Sequence, residues 1–252
     1  MTADDARTDA PTDDRTDAPA GGGGGATRTR TRSRRRTAGA ADAGAGSGAD
    51  AGSGAGVPDA LPVGVASTGE YAELTFVAPV DPADDLGRLS TTLPEGMDVL
   101  TWTDVPAGAP RLASLLPATL WELVWPPVDA TALTALLRDR CEDLLAASSA
   151  EVVRQRPDGA RTLDVRPAVV ALAVAARPAP DGAGARTVLR AVLRNDAPIV
   201  RPTDLLAALG DGFAPPALVR RVAQGAPTDA GLDEALTGTA EPVAPELVAG
   251  AA

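Results

Sequence analysis

Apolar and polar residues alternate most clearly around a tight turn in the second half of the chain. In Glu151–Pro167, two stretches that carry Val, Leu and Arg flank the tripeptide Pro157-Asp158-Gly159. Proline presets φ, aspartate tolerates a local backbone bond and glycine accepts a positive φ, as tight turns require. The pattern predicts a β-hairpin. Because alternate residues of a strand share one face, Arg154 and Arg156 are expected to point the same way.

Similar alternation predicts further strands over Tyr71–Ala78, Met97–Val105, Thr119–Trp125 and Thr187–Leu193. Residues 168–176 are continuously apolar, which is compatible with a strand or a helix. A strand is favoured because Val170, Leu172 and Val174 then lie on one face.

Helix starts are marked by polar caps and by prolines at the first helical position. These signals predict helices after Asp81-Pro82, from Asp129 or Thr131 to about Ala147, over Leu205–Leu209 and, in short form, at Arg111–Leu116. A last helix is expected from Pro215-Pro216 to about Gln224, and the tail after Gly225 is expected to be mostly loop.

This order of elements predicts an α+β fold, with antiparallel sheets, helices packed on one face and ferredoxin-like units. Residues 1–58 are rich in Ala, Gly, Asp and Arg and have too few large apolar side chains to offset the entropy of ordering. They predict a long disordered N-terminal arm. The α+β domain is expected over residues 59–225, with sub-units of about 59–117 and 118–225, followed by a C-terminal tail at 226–252.

Composition excludes several chemistries. The chain has no histidine and no lysine, which rules out a Ser-His-Asp triad, an imidazole ligand and a P-loop. Cys141 is the only cysteine, so neither a Cys-type zinc site nor an internal disulfide is possible. No apolar stretch resembles a signal peptide or a membrane span. We therefore expect a cytoplasmic protein with no membrane partner, no metal and no cofactor.

The remaining candidates are carboxylates, arginines and tryptophans. Asp81, Asp84 and Asp85 have oxygens suited to Mg²⁺, but their place at a helix start is explained by the helix dipole. Cys141 and the three tryptophans, Trp102, Trp121 and Trp125, are expected in the core. Arginines between Arg28 and Arg36 could contact RNA or form a solvated tail.

Four arginines of the hairpin region are the predicted binding residues. Arg154, Arg156, Arg161 and Arg166 form either a basic patch across the hairpin or the solvated face of a sheet. The pattern of charges alone leaves both interpretations open.

Five sequence blocks resemble a known family. They are Ala60–Ser67 with Gly69-Glu70-Tyr71, Leu93–Leu100, Arg161–Pro167, Arg201–Leu209 and Arg221–Gly225. In this order they are similar to the radical SAM-associated bacterial family of unknown function, here in its actinobacterial form, over residues 59 to 225. Members are fused to radical SAM proteins or encoded beside them, and a ribonuclease of the E/G type is a common neighbour.

The resemblance implies an uncharacterised accessory or binding protein without its own catalysis, with a radical SAM protein and RNA as candidate partners. The alternatives are a Mg²⁺-dependent phosphoryl-transfer or RNA-modifying enzyme, and a truncated or mis-started gene product without activity. The last is motivated by the start of the chain. The family begins with a strand-helix region that contains histidines, whereas Met1–Val57 is of low complexity and is interpreted as a misplaced start or an out-of-frame reading.

Overall fold

The computed structural model describes residues 27–35, 54–56, 61, 65–76, 81–157 and 159–244. Its strands are β1 Thr27–Arg35, β2 Gly54–Gly56, β3 Ala66–Phe76, β4 Met97–Asp104, β5 Ala118–Val124, β6 Glu151–Arg156, β7 Gly159–Asp164, β8 Val169–Pro178, β9 Ala185–Arg194, β10 Leu218–Thr228, β11 Gly231–Glu234 and β12 Ala240–Pro242. Its helices are α1 Pro82–Thr92, α2 Ala130–Ala146 and α3 Pro202–Leu209, with short 3₁₀ helices at Leu112–Leu115 and Arg166–Ala168.

The second half of the chain forms a complete ferredoxin-like unit. Its elements follow the order β5-α2-β8-β9-α3-β10, and its strands lie side by side as β10-β5-β9-β8. All neighbours in this half of the sheet are antiparallel. The β6–β7 hairpin is inserted between α2 and β8 and pairs only within itself among the described strands. This arrangement is the β-α-β-β-α-β unit with one insertion.

The first half continues the same sheet. Strands β3 and β4 flank β1, each antiparallel to it, and α1 connects them in a split β-α-β arrangement. The short β2 pairs with the far end of β3. Strand β10 joins β3 in a parallel pairing at Arg220 and Arg221, so the two halves share one sheet.

The core lies on both faces of the central strand β5, whose residues are all buried. On one face, Trp121 and Trp125 pack with Leu137 and Cys141 of α2. On the other face, Leu120 and Val192 pack against Leu232 and Val243, which the C-terminal strands supply. Because α2 covers β8 and β9 and α3 packs on α2, the helices of this half cover one face only. No helix in the described residues is both long and apolar enough to cross a membrane.

The α+β fold with antiparallel sheet and ferredoxin-like units is confirmed. The predicted hairpin and the helices at Pro82, Ala130 and Pro202 are also present. Residues 168–176, for which a strand was favoured, belong to β8.

Several expectations differ from the structure. The prediction of a helix from Pro215-Pro216 to about Gln224 is wrong, because the prolines precede β10 and the residues from Leu218 onward belong to it. The tail after Gly225, which was expected to be mostly loop, contains β11 and β12. Trp102, expected in the core, is 39% exposed on β4. Within the arm expected to be disordered, Thr27–Arg35 and Gly54–Gly56 form strands. The rest of the arm, including the arginine at position 36, lies outside the described residues.

Candidate functional site

The β6–β7 hairpin brings three of the four predicted binding arginines together. Its register pairs Arg154 with Arg161 and Arg156 with Gly159. Directly paired residues of antiparallel strands point to the same face, so Arg161 lies beside Arg154. Gly159 has a φ of +117°, a conformation that side chains of other residues rarely allow. The turn glycine therefore sets the register that aligns the arginines.

Arg154 is held in place by helix α3. Its Nε donates to Asp204 Oδ1 at 3.0 Å, and its Nη2 donates to the other carboxylate oxygen and to the Ile199 carbonyl. Asp204 also accepts the backbone N–H of Arg201, at 2.7 Å, in the first turn of α3. The two side chains are 13% and 7% exposed, so this pair connects the hairpin to the helix and compensates the charge of Arg154.

Arg166 lies apart from the other three arginines. Its guanidinium donates to the carbonyls of Leu145, at the end of α2, and Val169. These bonds satisfy a terminal helix carbonyl, as cations near helix C-termini commonly do. Nearby, the N–H groups of Ala150 and Arg166 donate to Asp164, and the bond from Ala150 is the main cause that lowers the Asp164 pKa. Arg166 thus links the C-terminal end of α2 to the end of β7.

A cleft of about 370 Å³ opens between the hairpin and the loop that precedes α3. Its lining includes Arg154, Arg156, Arg201, Trp121 and Asn195. The volume falls within the range of small-ligand sites. Two hydrogen bonds fix the orientation of the Asn195 side chain: its amide group donates to the Leu116 carbonyl, and its Oδ1 accepts from the Thr119 hydroxyl.

The cleft carries an excess of positive charge. Three guanidinium groups line it, and Asp204 compensates Arg154. Arg156 and Arg201 are exposed, and within the described part of the chain neither has a carboxylate within ion-pair distance. Two positive charges therefore remain beside an indole ring and an amide. Such a lining is suited to an anionic group attached to an apolar or planar body.

Sequence reasoning found part of this lining. Alternation on the strand identified Arg154 and Arg156, but Arg201, Asn195 and Trp121 were not recognised as neighbours of the hairpin. They approach it through strand order and through the loop before α3, which are long-range features. The signal available in the sequence was the Arg-Pro-Thr-Asp start of α3, which was interpreted only as a helix start.

A comparison with protein families places this cleft within a conserved bacterial family. The family described as an uncharacterized protein conserved in bacteria, DUF2344, matches residues 56–202, which is more than half of the chain. The chain belongs to DUF2344. All of the cleft residues named above lie within the matched segment. A search of curated proteins finds no match to the chain.

The carboxylates considered for Mg²⁺ lie on the surface of this DUF2344 protein. Asp85 accepts the backbone N–H of Asp81 at 3.1 Å and pairs with Arg88 at 3.3 Å, both in exposed positions. In the residues that the structure describes, no group of three or more Asp, Glu or Cys side chains is arranged to hold a metal ion. The contacts of Asp85 are those of an ordinary helix start.

Cys141 is buried on the inner face of α2, as predicted, among Leu137 and Leu144. Burial raises the pKa of its thiol to about 12, and the neighbouring Glu142 adds to the increase. A nucleophilic cysteine needs a lowered pKa and access to solvent, and this thiol has neither. Cys141 is a packing residue.

Proposed function

We propose that this DUF2344 protein is a binding component that holds single-stranded RNA along the hairpin cleft and works beside a radical SAM protein. The observation that carries the proposal is the convergence of Arg156 and Arg201 on one cleft without a carboxylate partner in the described chain.

The charge of the cleft selects an anion. Guanidinium groups bind phosphate in a bidentate geometry, and the Arg154–Asp204 pair keeps the cleft wall rigid. Because Arg154 is already compensated, Arg156 and Arg201 are the residues available for a ligand. This protein is acidic as a whole, with a formal charge of −11, so a local basic cleft also concentrates anions where the rest of the surface repels them.

The basic surface extends beyond the cleft. Arg161 lies opposite Arg154, and Arg156 follows two residues along the strand, which is about 7 Å away. Cations spaced along a hairpin fit a chain of phosphates better than a single anion. Ile199, 41% exposed at the cleft, offers an apolar contact for a base.

The radical SAM partner rests on the resemblance of the sequence blocks, four of which start or lie within the matched family segment. Its test is co-elution of the full chain with a radical SAM protein from the same genome. Separate elution at concentrations well above those in the cell would contradict this part of the proposal.

RNA binding is tested by fluorescence anisotropy on the full chain, with a labelled single strand of about 12 nucleotides. Changing Arg156→Gln together with Arg201→Gln should weaken binding about tenfold at low salt. It should also reduce the slope of log K against log salt by about 0.7 for each lost phosphate contact.

The matched control carries Arg138→Gln and Arg140→Gln, which remove the same charge from exposed positions of α2. This control should retain the slope of the original protein. Equal losses in both double variants would indicate general charge attraction, and the absence of salt-dependent RNA binding would contradict the proposal directly.

A further inference from the structure

A second group of arginines lies on the face of the sheet opposite α2. Its centre is Glu122 of β5, which is paired in register with Arg190 of β9 and Arg220 of β10. The neighbours Trp121 and Leu123 face the helical side, so Glu122 points away from it. This group therefore lies on the face opposite the α2 core and does not share side chains with the hairpin cleft.

Three guanidinium groups surround the Glu122 carboxylate. Arg190 Nε donates to Oε2 at 2.9 Å, the Arg220 guanidinium donates to Oε1, and Arg177 Nη1 lies 3.8 Å from Oε2. The Glu122 side chain is only 3% exposed. Arg190 also donates to the Pro242 carbonyl of β12 at 3.0 Å, which fixes its orientation from the C-terminal side.

Glu122 is ionised at neutral pH. Burial by itself would raise its pKa, but the charges of Arg220 and Arg190 and their hydrogen bonds outweigh burial and hold the pKa below its usual value. The carboxylate therefore supplies one full negative charge to the group. It compensates the charge of one guanidinium group.

Arg186 adds to the imbalance. It lies directly opposite Arg177 in the β8–β9 register, and like charges in that position repel each other. In the described chain, Glu122 is the carboxylate within ion-pair distance of Arg190 and Arg220, and Arg186 has none. Arg186, Arg190 and Arg220, counted together with this one carboxylate, leave two positive charges. The Nε atoms of Arg186 and Arg220 are also buried without a hydrogen-bond partner among the described residues, which is costly in the absence of a ligand.

Strand β8 presents small side chains on the face that carries these arginines. Its residues on this face, by register with Val188, Arg190 and Val192, are Ala175, Ala173 and Ala171. Ala171 and Ala173 pack against the cluster that contains Val192 and Leu232, and the Arg220 side chain is 34% exposed. A ligand can therefore reach this group from solvent at Arg220.

We propose that Arg186, Arg190 and Arg220 form a phosphate-binding site for a small phosphate ligand, with Glu122 as its internal counterion. A phosphate dianion offsets the two positive charges, and its oxygens accept from the guanidinium groups in the bidentate geometry that arginine favours. The proposal is independent of the RNA-binding cleft, since no residue is shared and the two groups use different faces of the sheet.

The experiment is isothermal titration of the full chain with inorganic phosphate, with ionic strength held constant by sodium chloride. Arg186→Gln should weaken phosphate binding about tenfold, because one charge-assisted contact is lost while no ion pair among the described residues is broken. Glu122→Gln should strengthen binding about tenfold, because the internal anion that repels phosphate is removed. A purely structural arginine cluster predicts no such opposite pair of effects.

Arg140→Gln on α2 is the charge-matched control and should bind phosphate as the original chain does. If Glu122→Gln does not fold, the comparison of phosphate affinity between Arg186→Gln and Arg140→Gln still tests the proposal. Equal phosphate affinities of the Arg186→Gln and Arg140→Gln variants would overturn the proposal. It would also be overturned if phosphate binding were lost only in the double variant Arg156→Gln and Arg201→Gln, because that result would assign the phosphate to the hairpin cleft.

A parallel titration with adenosine monophosphate identifies the source of the phosphate. Equal affinity for both probes supports a site for free phosphate, and tighter binding of the nucleotide supports an organic phosphate whose body lies over the alanines of β8. Weaker binding of both probes in Arg186→Gln is required in either case.

Discussion

Glu122 shows how much one buried side chain can depend on its neighbours. Its carboxylate is nearly inaccessible to solvent, and it is tolerated there because Arg190 and Arg220 bond to both of its oxygens. Removing one member of a buried pair leaves the other members charged and poorly solvated, which costs more than the pair itself contributes. The stability of the protein should therefore depend on the ionisation of this one group.

We predict that Glu122→Gln lowers the free energy of unfolding by about 3 kcal/mol at neutral pH. The pKa of Glu122 is lowered in the folded protein, so its stabilising contribution is present above the unfolded value of 4.5 and is lost as pH falls through the folded value. The difference between the two proteins should be full above about pH 5 and should shrink in more acidic solution. Urea unfolding at a series of pH values measures it.

The control for this prediction is Glu142→Gln, an exposed glutamate of α2. It should change stability by less than about 0.5 kcal/mol at any of these pH values. A difference between Glu122→Gln and the original chain that stays constant into acid would mean that Glu122 acts through its shape and not through its charge.

At the scale of elements, the strand β10 depends on a residue without a side chain. Gly225 pairs with Ala118 of β5 on one side and with Glu234 of β11 on the other. A Cβ atom built at Gly225 would lie 1.9 Å from the carbonyl oxygen of Asp233, a distance that no real contact allows. The close approach of β10 and β11 therefore requires glycine at this position.

We predict that Gly225→Ala destabilises the protein by at least about 2 kcal/mol, since backbone atoms must move to admit the methyl group. The same change at Gly87 should have the opposite sign. Gly87 lies in α1 with open space around its Cβ position, and alanine there should stabilise the protein by about 0.5–1 kcal/mol. Thermal unfolding of the two variants measures both effects. Destabilisation of similar size in both would show that the contact with Asp233 is not the cause.

The elements that the sequence predicts correctly are those with a strong local signal. The hairpin has its Pro-Asp-Gly turn, and α1 and α3 begin at prolines. Strand β10 was mistaken for a helix because Pro215-Pro216 resembles a helix start, whereas its conformation is set by pairing with β3 and β5. The partners on β5 are about 100 positions away in sequence and those on β3 about 150, so no local pattern contains the pairing.

The residues of the candidate sites also divide into those with a local sequence signal and those brought together only by long-range contacts. Alternation identified Arg154 and Arg156 of the cleft, because strand periodicity is local. It did not identify the contact of Arg154 with Asp204, which is 50 residues away in sequence. The arginines around Glu122 lie on three different strands, and only the strand order β10-β5-β9-β8 brings them together. Without that order, the sequence shows them as isolated basic residues.

At the scale of the whole molecule, the C-terminal hairpin, formed by β11 and β12, connects the two halves of the sheet. Its strand β11 pairs with β10, and its Leu232 packs on the face that also carries Leu120 and Val192. Glu234 accepts a hydrogen bond from the hydroxyl of Tyr71, a buried residue of β3 in the first half. The Glu234 carboxylate also accepts the N–H and the hydroxyl of Thr237, which orders the following turn. Tyr71 therefore joins the first half to the hairpin that closes the second.

We predict that Tyr71→Phe lowers the free energy of unfolding by about 1–3 kcal/mol, because a buried carboxylate loses a hydroxyl donor. The loss should also be local. Hydrogen exchange measured by mass spectrometry should become faster in Gly231–Glu234 and in the turn up to Thr239, where Glu234 anchors the backbone, and should stay unchanged in β8 and β9.

The control is Thr103→Val on the exposed strand β4, which removes a hydroxyl that makes only a 3.5 Å contact with the next carbonyl. It should change stability by less than about 0.5 kcal/mol and leave exchange at the C-terminal hairpin unaltered. If Tyr71→Phe raised exchange evenly over all strands, the tyrosine would stabilise the sheet as a whole. Faster exchange confined to β11 and its turn would instead mean that this single hydroxyl couples the first half of the molecule to the C-terminal strands.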